Sequence, residues 1–266
     1  MEWMEKRSAA TLNAVMNACV HMVGKSIVGT RDYQQDAFYT CFNGETCLAV
    51  VCDGMGGAEH GEMASQCAIE ILAKDYDAMT SMEDPYQFLR KEALKMDKAV
   101  YGLEDEKGRR IDSGTTVVAV IVRNNKIWWL SVGDSRIYVI RKNQFSPVNQ
   151  EHNYRYRLDR QLEEHEITRE EYQAEALQAE ALISYIGMNG LELIDQNSRA
   201  FEMQHMDRFL LCSDGLIKAL GEAKVREILM KHPLDINESL EELIKHVEKC
   251  GKKHIDNTTV VLLSYE

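Results

Sequence analysis

The sequence predicts one α+β domain whose sheets are antiparallel. Three observations carry this. Between Ser113 and Arg141 the runs TTVVAVIV, KIWWLSV and SRIYVIR follow one another with only Arg123-Asn124-Asn125 and Gly133-Asp134 between them, and turns this short join neighbouring strands as hairpins. Strand-like and helix-like runs are partly segregated along the chain, which argues against a doubly wound parallel sheet. The 266 residues contain no low-complexity linker, repeat or charge block, and that length buries a proper core without disulfides.

Composition narrows the function. The net charge of -12 argues against a nucleic-acid backbone or an anionic membrane as partner and leaves metal cations and basic protein surfaces open. No run of about eighteen apolar residues is present, so no membrane span is expected. The seven cysteines are odd in number and never spaced C-x-x-C, which reads as reduced, mostly buried thiols in a cytoplasmic protein. No H-E-x-x-H pattern occurs among the histidines. Residues 1–22 carry early acids and an apolar centre broken by Asn13 and Asn17; they make a poor signal peptide and read as a short helical extension ahead of a domain at 23–266.

In chain order, Ser26–Phe42 holds two strands joined around Gly29–Asp36. Leu48–Cys52 has the length and residue types of a buried strand, ending at Asp53-Gly54-Met55-Gly56-Gly57. A helix follows, with Ala64, Cys67, Ala68, Ile71 and Leu72 at helical spacing. Asp84 and Pro85 open a second helix to Tyr101. Glu151–Leu182 is polar and helical in character, with Thr168 and Glu171 as a capping box. RFLLCS at 208–213 is a strand that again ends in Asp-Gly. Helices over about 223–232 and 237–250 follow, the second with Leu240, Leu243, Ile244 and Val247 on one face. TTVVLLSY closes the chain as a strand.

Five aspartates share one setting. Asp53 follows AVVC, Asp214 follows FLLCS, Asp134 follows WLSVG, Asp256 precedes TTVVLLS, and Asp36 precedes AFYT. Any one of them is explained by turn capping. Five at strand ends, two in similar C-D-G and C-S-D-G contexts, point to convergence at a sheet edge. Gathered carboxylates repel one another, so either their pKa values rise or cations join them. Oxygen donors select hard ions such as Mg²⁺ or Mn²⁺ over zinc.

These residues lie in blocks that resemble the metal-dependent protein serine/threonine phosphatases (the PPM family, type 2C), of the compact bacterial kind. The blocks are GTRDYQQDAF (29–38), VVCDGMGGAEHGEMAS (50–65), SGTTVVAVIV (113–122), LSVGDSRIYVIR (130–141), LLCSDGL (210–216) and DNTTVVLL (256–263). They occur in the family's order and span nearly the whole chain from Ser26. The resemblance implies a four-layer α-β-β-α sandwich, two central antiparallel sheets flanked by helices, with two Mn²⁺ or Mg²⁺ ions at one end and a weaker third in many relatives. It implies that Asp53 bridges both ions, that the Gly54 carbonyl and Asp36 serve the second, and that Asp214 and Asp256 hold the first. Asp134 would share the third with Asp214, and Arg31 would bind phosphate. The implied reaction is hydrolysis of phosphoserine and phosphothreonine by in-line attack of a metal-bridging hydroxide, without a covalent enzyme intermediate. Implied partners are phosphorylated proteins, the targets of a serine/threonine kinase, met by a monomer.

Three positions depart from the pattern. Met55 stands where animal members carry a histidine proposed as general acid; water, or His60, would have to serve. Gln35 stands where some members have glutamate. Lys218 lies four residues past Asp214, where several relatives place an acid or amide near the third metal; it either weakens that site or fills it with its own ammonium. The rival reading is a catalytically silent phosphoprotein-binding module of the same fold, which loss of metal ligands would mark. A nucleotide-binding loop at Gly54–Gly57 fails, because neither G-x-G-x-x-G nor GK[ST] is present.

Overall fold

The computed structural model describes residues 13–16, 19–44, 46–57, 60–79 and 83–266. The elements in order are β1 (Asn13–Met16), β2 (Val20–Ile27), β3 (Asp36–Phe42), β4 (Thr46–Gly56), α1 (His60–Asp77), α2 (Pro85–Tyr101), β5 (Ser113–Thr115), β6 (Val117–Arg123), β7 (Lys126–Val132), β8 (Arg136–Arg141) and β9 (Gln144–Pro147). They continue with α3 (Tyr154–Glu163), α4 (Arg169–Glu175), β10 (Asp195–Gln196), β11 (Phe201–Glu202), β12 (Arg208–Cys212), α5 (Asp214–Leu220), α6 (Glu222–Lys231), α7 (Ile236–Glu248) and β13 (Thr258–Tyr265).

Two antiparallel sheets result. One runs β1-β2-β13-β12-β8-β9; the other runs β10-β7-β6-β4-β3, with β11 also on β7 and β5 on β4. Side-chain alternation sorts the strands into layers. On β4, Cys47, Ala49 and Val51 face the opposite sheet, while Leu48, Val50 and Cys52 face α1 and α2. On β13, Val261 and Leu263 join the same inter-sheet core, while Val260 and Leu262 pack beneath α5, α6 and α7. The central strands are apolar on both faces because each sheet is covered twice. The architecture is the expected four-layer α-β-β-α sandwich.

Several local expectations hold for visible reasons. Asp84 caps α2 through Tyr86 N–H, with Pro85 in the first turn. Thr168 and Glu171 form the reciprocal capping box of α4. Leu240, Leu243, Ile244 and Val247 are all buried along one face of α7.

Three expectations need correction. The helix predicted over 1–22 is absent from its described part: residues 13–16 are strand β1, paired antiparallel with β2, which begins at Val20. The edge of β2 gains partners for His21–Gly24 that way, which outweighs a weak amphipathic pattern; residues 1–12 and 17–18 lie outside the described residues. The strand at 48–52 does not stop at Asp53 but runs to Gly56, because Gly54, Met55 and Gly56 leave the main ladder and pair with Thr115, Gly114 and Ser113 of β5. The cysteines are less buried than expected: Cys47, Cys52 and Cys212 are buried, Cys41, Cys67 and Cys250 half-buried, and Cys19 exposed.

One connection positions the site. The loop from Val28 to Gln35 leaves β2 in one sheet and enters β3 in the other, crossing one end of the sandwich. β4 and β12 end there and β13 begins there, so residues distant in sequence meet at that end.

Candidate metal and phosphate site

Asp53 is held from behind by the 114–116 segment. Its N–H donates to Thr116 Oγ1 at 3.0 Å, and its carbonyl accepts from Thr116 N–H at 2.9 Å and Thr115 Oγ1 at 3.0 Å. Thr116 Oγ1 also lies 2.7 Å from Ser135 Oγ, tying this clamp to the turn that carries Asp134. Gly54 is required by close approach: a Cβ there would lie 2.1 Å from the Gly61 carbonyl oxygen. Its N–H donates to the Gln35 carbonyl at 3.2 Å, so the 53–56 segment, the start of α1 and the β2–β3 loop are packed backbone to backbone.

Asp36 opens β3 directly opposite Asp53 in the β3–β4 ladder. Its Oδ2 accepts from Ser213 Oγ at 2.7 Å; its Oδ1 is buried without a hydrogen-bond partner. Burial pushes the Asp36 carboxyl up to about 7, the Ser213 and Thr259 hydroxyls offset part of this, and the charges of Asp214 and Asp256 add to it. Asp53 is pushed well above the ordinary range, first by burial and then by Asp36, Asp214, Asp134 and Asp256. Burial and Asp214 raise Asp134 to about 7. The five aspartates singled out by sequence therefore stand close enough to feel one another's charge.

Asp214 is the first residue of α5. Ser213, at the N-cap position, makes no cap with its hydroxyl because that hydroxyl is turned to Asp36, while its Oγ also accepts from Thr259 N–H at 3.0 Å. Gly215 allows α5 to start against the chain before β13: a Cβ would sit 2.0 Å from the Asn257 carbonyl oxygen. Burial raises the Asp214 pKa and Lys218, one helical turn on, pulls it back. Lys218 Nζ pairs with Asp214 and lies 3.6 Å from Asp256 Oδ2. Burial disfavours its ammonium, but Asp214 and Asp256 more than compensate and hold its pKa above the ordinary value.

Arg31 donates to Asp256 Oδ1 at 2.9 Å, and its side chain is 59% exposed, so part of its fork remains open. The loop that carries it is stapled to the 255–257 segment. Thr30 N–H donates to the Ile255 carbonyl at 2.9 Å, and Asn257 Nδ2 donates to the carbonyls of Val28 and Tyr33 at 2.9 and 3.0 Å. Asn257 Oδ1 accepts from Gln35 N–H at 2.8 Å. Gly29, at φ +64, passes so close that a Cβ would lie 2.5 Å from the Asp256 carbonyl oxygen.

Behind Asp134, Gly133 N–H donates to His152 Nδ1 at 3.3 Å, and burial lowers the His152 pKa to about 4, which keeps the ring neutral. His60 starts α1 against Gly56, and Met55, whose thioether has no proton to give, is half-buried on β4.

The donor set fits a hard divalent cation. A buried carboxylate oxygen of Asp36 without a partner, facing the half-buried Asp53 carboxylate across a strand pair, calls for a cation or a proton. Among the described residues no three acid, histidine or cysteine side chains already form a closed coordination shell; the Lys218 ammonium stands between Asp214 and Asp256 instead.

The sequence pointed to Asp36, Asp53, Asp134, Asp214, Asp256 and Arg31, and all reach this end of the sandwich. It missed the residues that hold them: Ser213, Thr116, Ser135 and Asn257. Their signal was present, since each lies within three residues of a conspicuous aspartate or glycine, but hydroxyls and amides acquire a role only when a partner from another strand arrives.

Comparison with known proteins agrees with this geometry. The Protein phosphatase 2C family matches residues 23–258. The chain is 29% identical over 219 residues to the serine/threonine phosphatase stp of Listeria welshimeri, covering 81% of this chain and 83% of that protein. It is 28% identical to the serine/threonine protein phosphatase PstP of Mycobacterium tuberculosis, covering 81% of this chain and 40% of that one. Among solved structures, the S. agalactiae serine/threonine phosphatase shares the fold with a TM-score of 0.78 at 23% identity, covering 93% of this chain and all of that chain. The catalytic domain of PstP in complex with two manganese ions superimposes with a TM-score of 0.73 at 25% identity, over 93% of this chain and 98% of that chain.

The two-sheet sandwich and these likenesses together define the class as a protein phosphatase. The chain belongs to the protein phosphatase 2C family. It is a phosphoprotein phosphatase, and the rival reading of a catalytically silent module is not favoured. No helix among the described residues is long and apolar enough to cross a membrane.

Proposed function

We propose that the chain hydrolyses phosphoserine and phosphothreonine in proteins with two Mn²⁺ or Mg²⁺ ions held by Asp36, Asp53, the Gly54 carbonyl, Asp214 and Asp256, and a weaker third shared by Asp134 and Asp214. The observation that carries this reading is the carboxylate pair of Asp36, buried, and Asp53, half-buried, set opposite each other in register with one Asp36 oxygen unpartnered. When bound, divalent cations supply Lewis acidity toward water and toward the phosphoryl oxygens.

The chain's own residues do the rest. Arg31, braced on Asp256, offers the open part of its guanidinium to two phosphoryl oxygens, a geometry a lysine point charge does not match. The clamp of Thr115 and Thr116 fixes where Asp53 points, and Ser213 does the same for Asp36. The leaving serine or threonine oxygen takes its proton from water, since Met55 cannot donate one.

We further take residues 23–266 as the catalytic domain and the preceding residues as an extension. The protein works as a monomer in the cytoplasm on targets of a serine/threonine kinase. The acidic surface and the absence of disulfides among the described cysteines support that placement.

The test is hydrolysis of a phosphothreonine peptide by metal-stripped protein titrated with Mn²⁺, beside Asp214→Asn. Turnover that requires metal, with a loss of about 100-fold or more in the variant, is expected. A folded protein with no turnover at any Mn²⁺ or Mg²⁺ concentration would overturn it.

A further inference from the structure

Beside the aspartates lies an open groove of about 570 Å³ whose charge is opposite to that of the molecule. Its basic lining is Arg31, Lys218, Lys252 and His254, with Asp256 as the only acid among the residues that line it. The whole chain carries -12, yet from Lys249 to His254 it reads KCGKKH, without an acid. Arg31 and Lys218 are engaged with Asp256 and Asp214. Lys252 and His254 are not: among the described residues no carboxylate lies within ion-pair distance of either, and both are exposed.

The groove is also built. Lys252 Nζ donates to the Lys218 carbonyl near the C-terminal end of α5, which anchors the ammonium on the wall and leaves its remaining protons for another acceptor. The backbone under His254 is tied to the Arg31 loop, with Ile255 N–H donating to Thr30 Oγ1 at 2.9 Å. The cationic wall and the phosphate-facing arginine are therefore fixed relative to one another, so little ordering is needed on binding. The groove shares Arg31 and Asp256 with the proposed reaction centre, so Lys252 and His254 lie within the reach of a few extended residues, at about 3.3 Å each, from a phosphoresidue bound there.

We propose that this groove is a second anion subsite, which selects phosphopeptides carrying a further negative group, a carboxylate or another phosphate, within about three residues of the phosphoresidue. The inference rests on the phosphatase reading above and adds the substrate class to it. Lys252 supplies the charge and His254 an imidazole hydrogen-bond donor. The contact is solvent-exposed, so it is screened by salt.

The experiment compares kcat/KM of the Mn²⁺-loaded protein on four phosphothreonine peptides: neutral flanks, glutamates on the N-terminal side, glutamates on the C-terminal side, and a second phosphothreonine. Each rate is divided by the same protein's rate on p-nitrophenyl phosphate, which has no flanks. At low salt the protein should prefer at least one anion-flanked peptide by about tenfold, which corresponds to about 1.4 kcal/mol. The preference should shrink at 0.5 M salt, persist in Lys252→Arg, and vanish in the Lys252→Ala, His254→Ala double variant. The glutamate and phosphate arms separate the two sources of charge. Equal rates on all four peptides, or a preference the double variant retains, would overturn the subsite. If neither p-nitrophenyl phosphate nor any of the four peptides is turned over, the phosphatase reading fails instead. Fluorescence anisotropy with the same peptides then decides the groove: about tenfold tighter binding of a flanked peptide, lost in the double variant, supports it, and equal binding refutes it.

Discussion

Asp36 and Asp53 face each other across the β3–β4 ladder, Asp36 buried and Asp53 half-buried, and only one oxygen of Asp36 has a protein donor. That pair makes the end of the sandwich costly to maintain without cations, and the cost depends on pH.

In metal-stripped protein, the native carboxyl of Asp36 titrates near 7 against an ordinary value of 3.8. A raised acid pKa means the native state holds its proton longer than the unfolded chain does. The contribution of this group to stability is therefore full below about pH 4 and is lost as pH rises through about 7. Asp36→Asn keeps an acceptor for Ser213 and removes the charge. At pH 8 without metal it should be more stable than the parent by roughly 2–4 kcal/mol, with the difference fading toward pH 4. Urea unfolding at both pH values measures it; a variant that is less stable at pH 8 contradicts the account.

Ser213 serves two strands at once, donating to Asp36 and accepting from Thr259 N–H. Ser213→Ala leaves a carboxylate oxygen and an amide without partners and should cost about 1–3 kcal/mol. Losing the hydroxyl also removes an influence that lowers the Asp36 pKa, so the midpoint for Mn²⁺ uptake should move to higher pH. Calorimetric Mn²⁺ titration between pH 5.5 and 8 reads the shift; an unchanged midpoint would show that Ser213 does not tune Asp36.

Lys218 places an ammonium between Asp214 and Asp256, where it competes with an incoming cation. Its side chain is 56% exposed, so the competition is modest. Lys218→Gln should tighten Mn²⁺ binding by about two- to fivefold, seen by calorimetry independently of turnover. Weaker Mn²⁺ binding in the variant would mean that the lysine supports the site instead of contesting it.

Gly215→Ala tests the backbone contact that seats α5 on the start of β13. With a Cβ 2.0 Å from the Asn257 carbonyl oxygen, the two segments must separate, at a cost of roughly 1–3 kcal/mol and with Asp214 displaced from Asp256. A lower urea midpoint together with weaker Mn²⁺ affinity is expected; a normal midpoint would show that the contact yields cheaply.

Residue patterns alone predicted an α+β domain with antiparallel hairpins, because short turns leave neighbouring strands no other pairing, while the four layers were an implication of the family resemblance. Which face of β4, β12 and β13 enters the inter-sheet core is visible once the two sheets are stacked. Aspartates at strand ends were legible because each abuts an apolar run, before it at Asp36 and Asp256 and after it at Asp53, Asp134 and Asp214. Tertiary structure decided what no single stretch carries. Strand β1 exists because the edge of β2 needs a partner, not because Asn13–Met16 favours extension. Asn257 matters because three groups of the Val28–Gln35 loop converge on it, and Ser213 because Asp36 arrives from the other sheet. Lys218 was visible as an oddity, but only the α5 turn shows which carboxylates it neutralises. The groove of Lys252 and His254 was invisible, since a short basic run reads as solvated surface until the fold sets it beside Arg31. Periodicity is local and survives in one dimension; convergence of polar groups from different strands is a property of the closed sandwich.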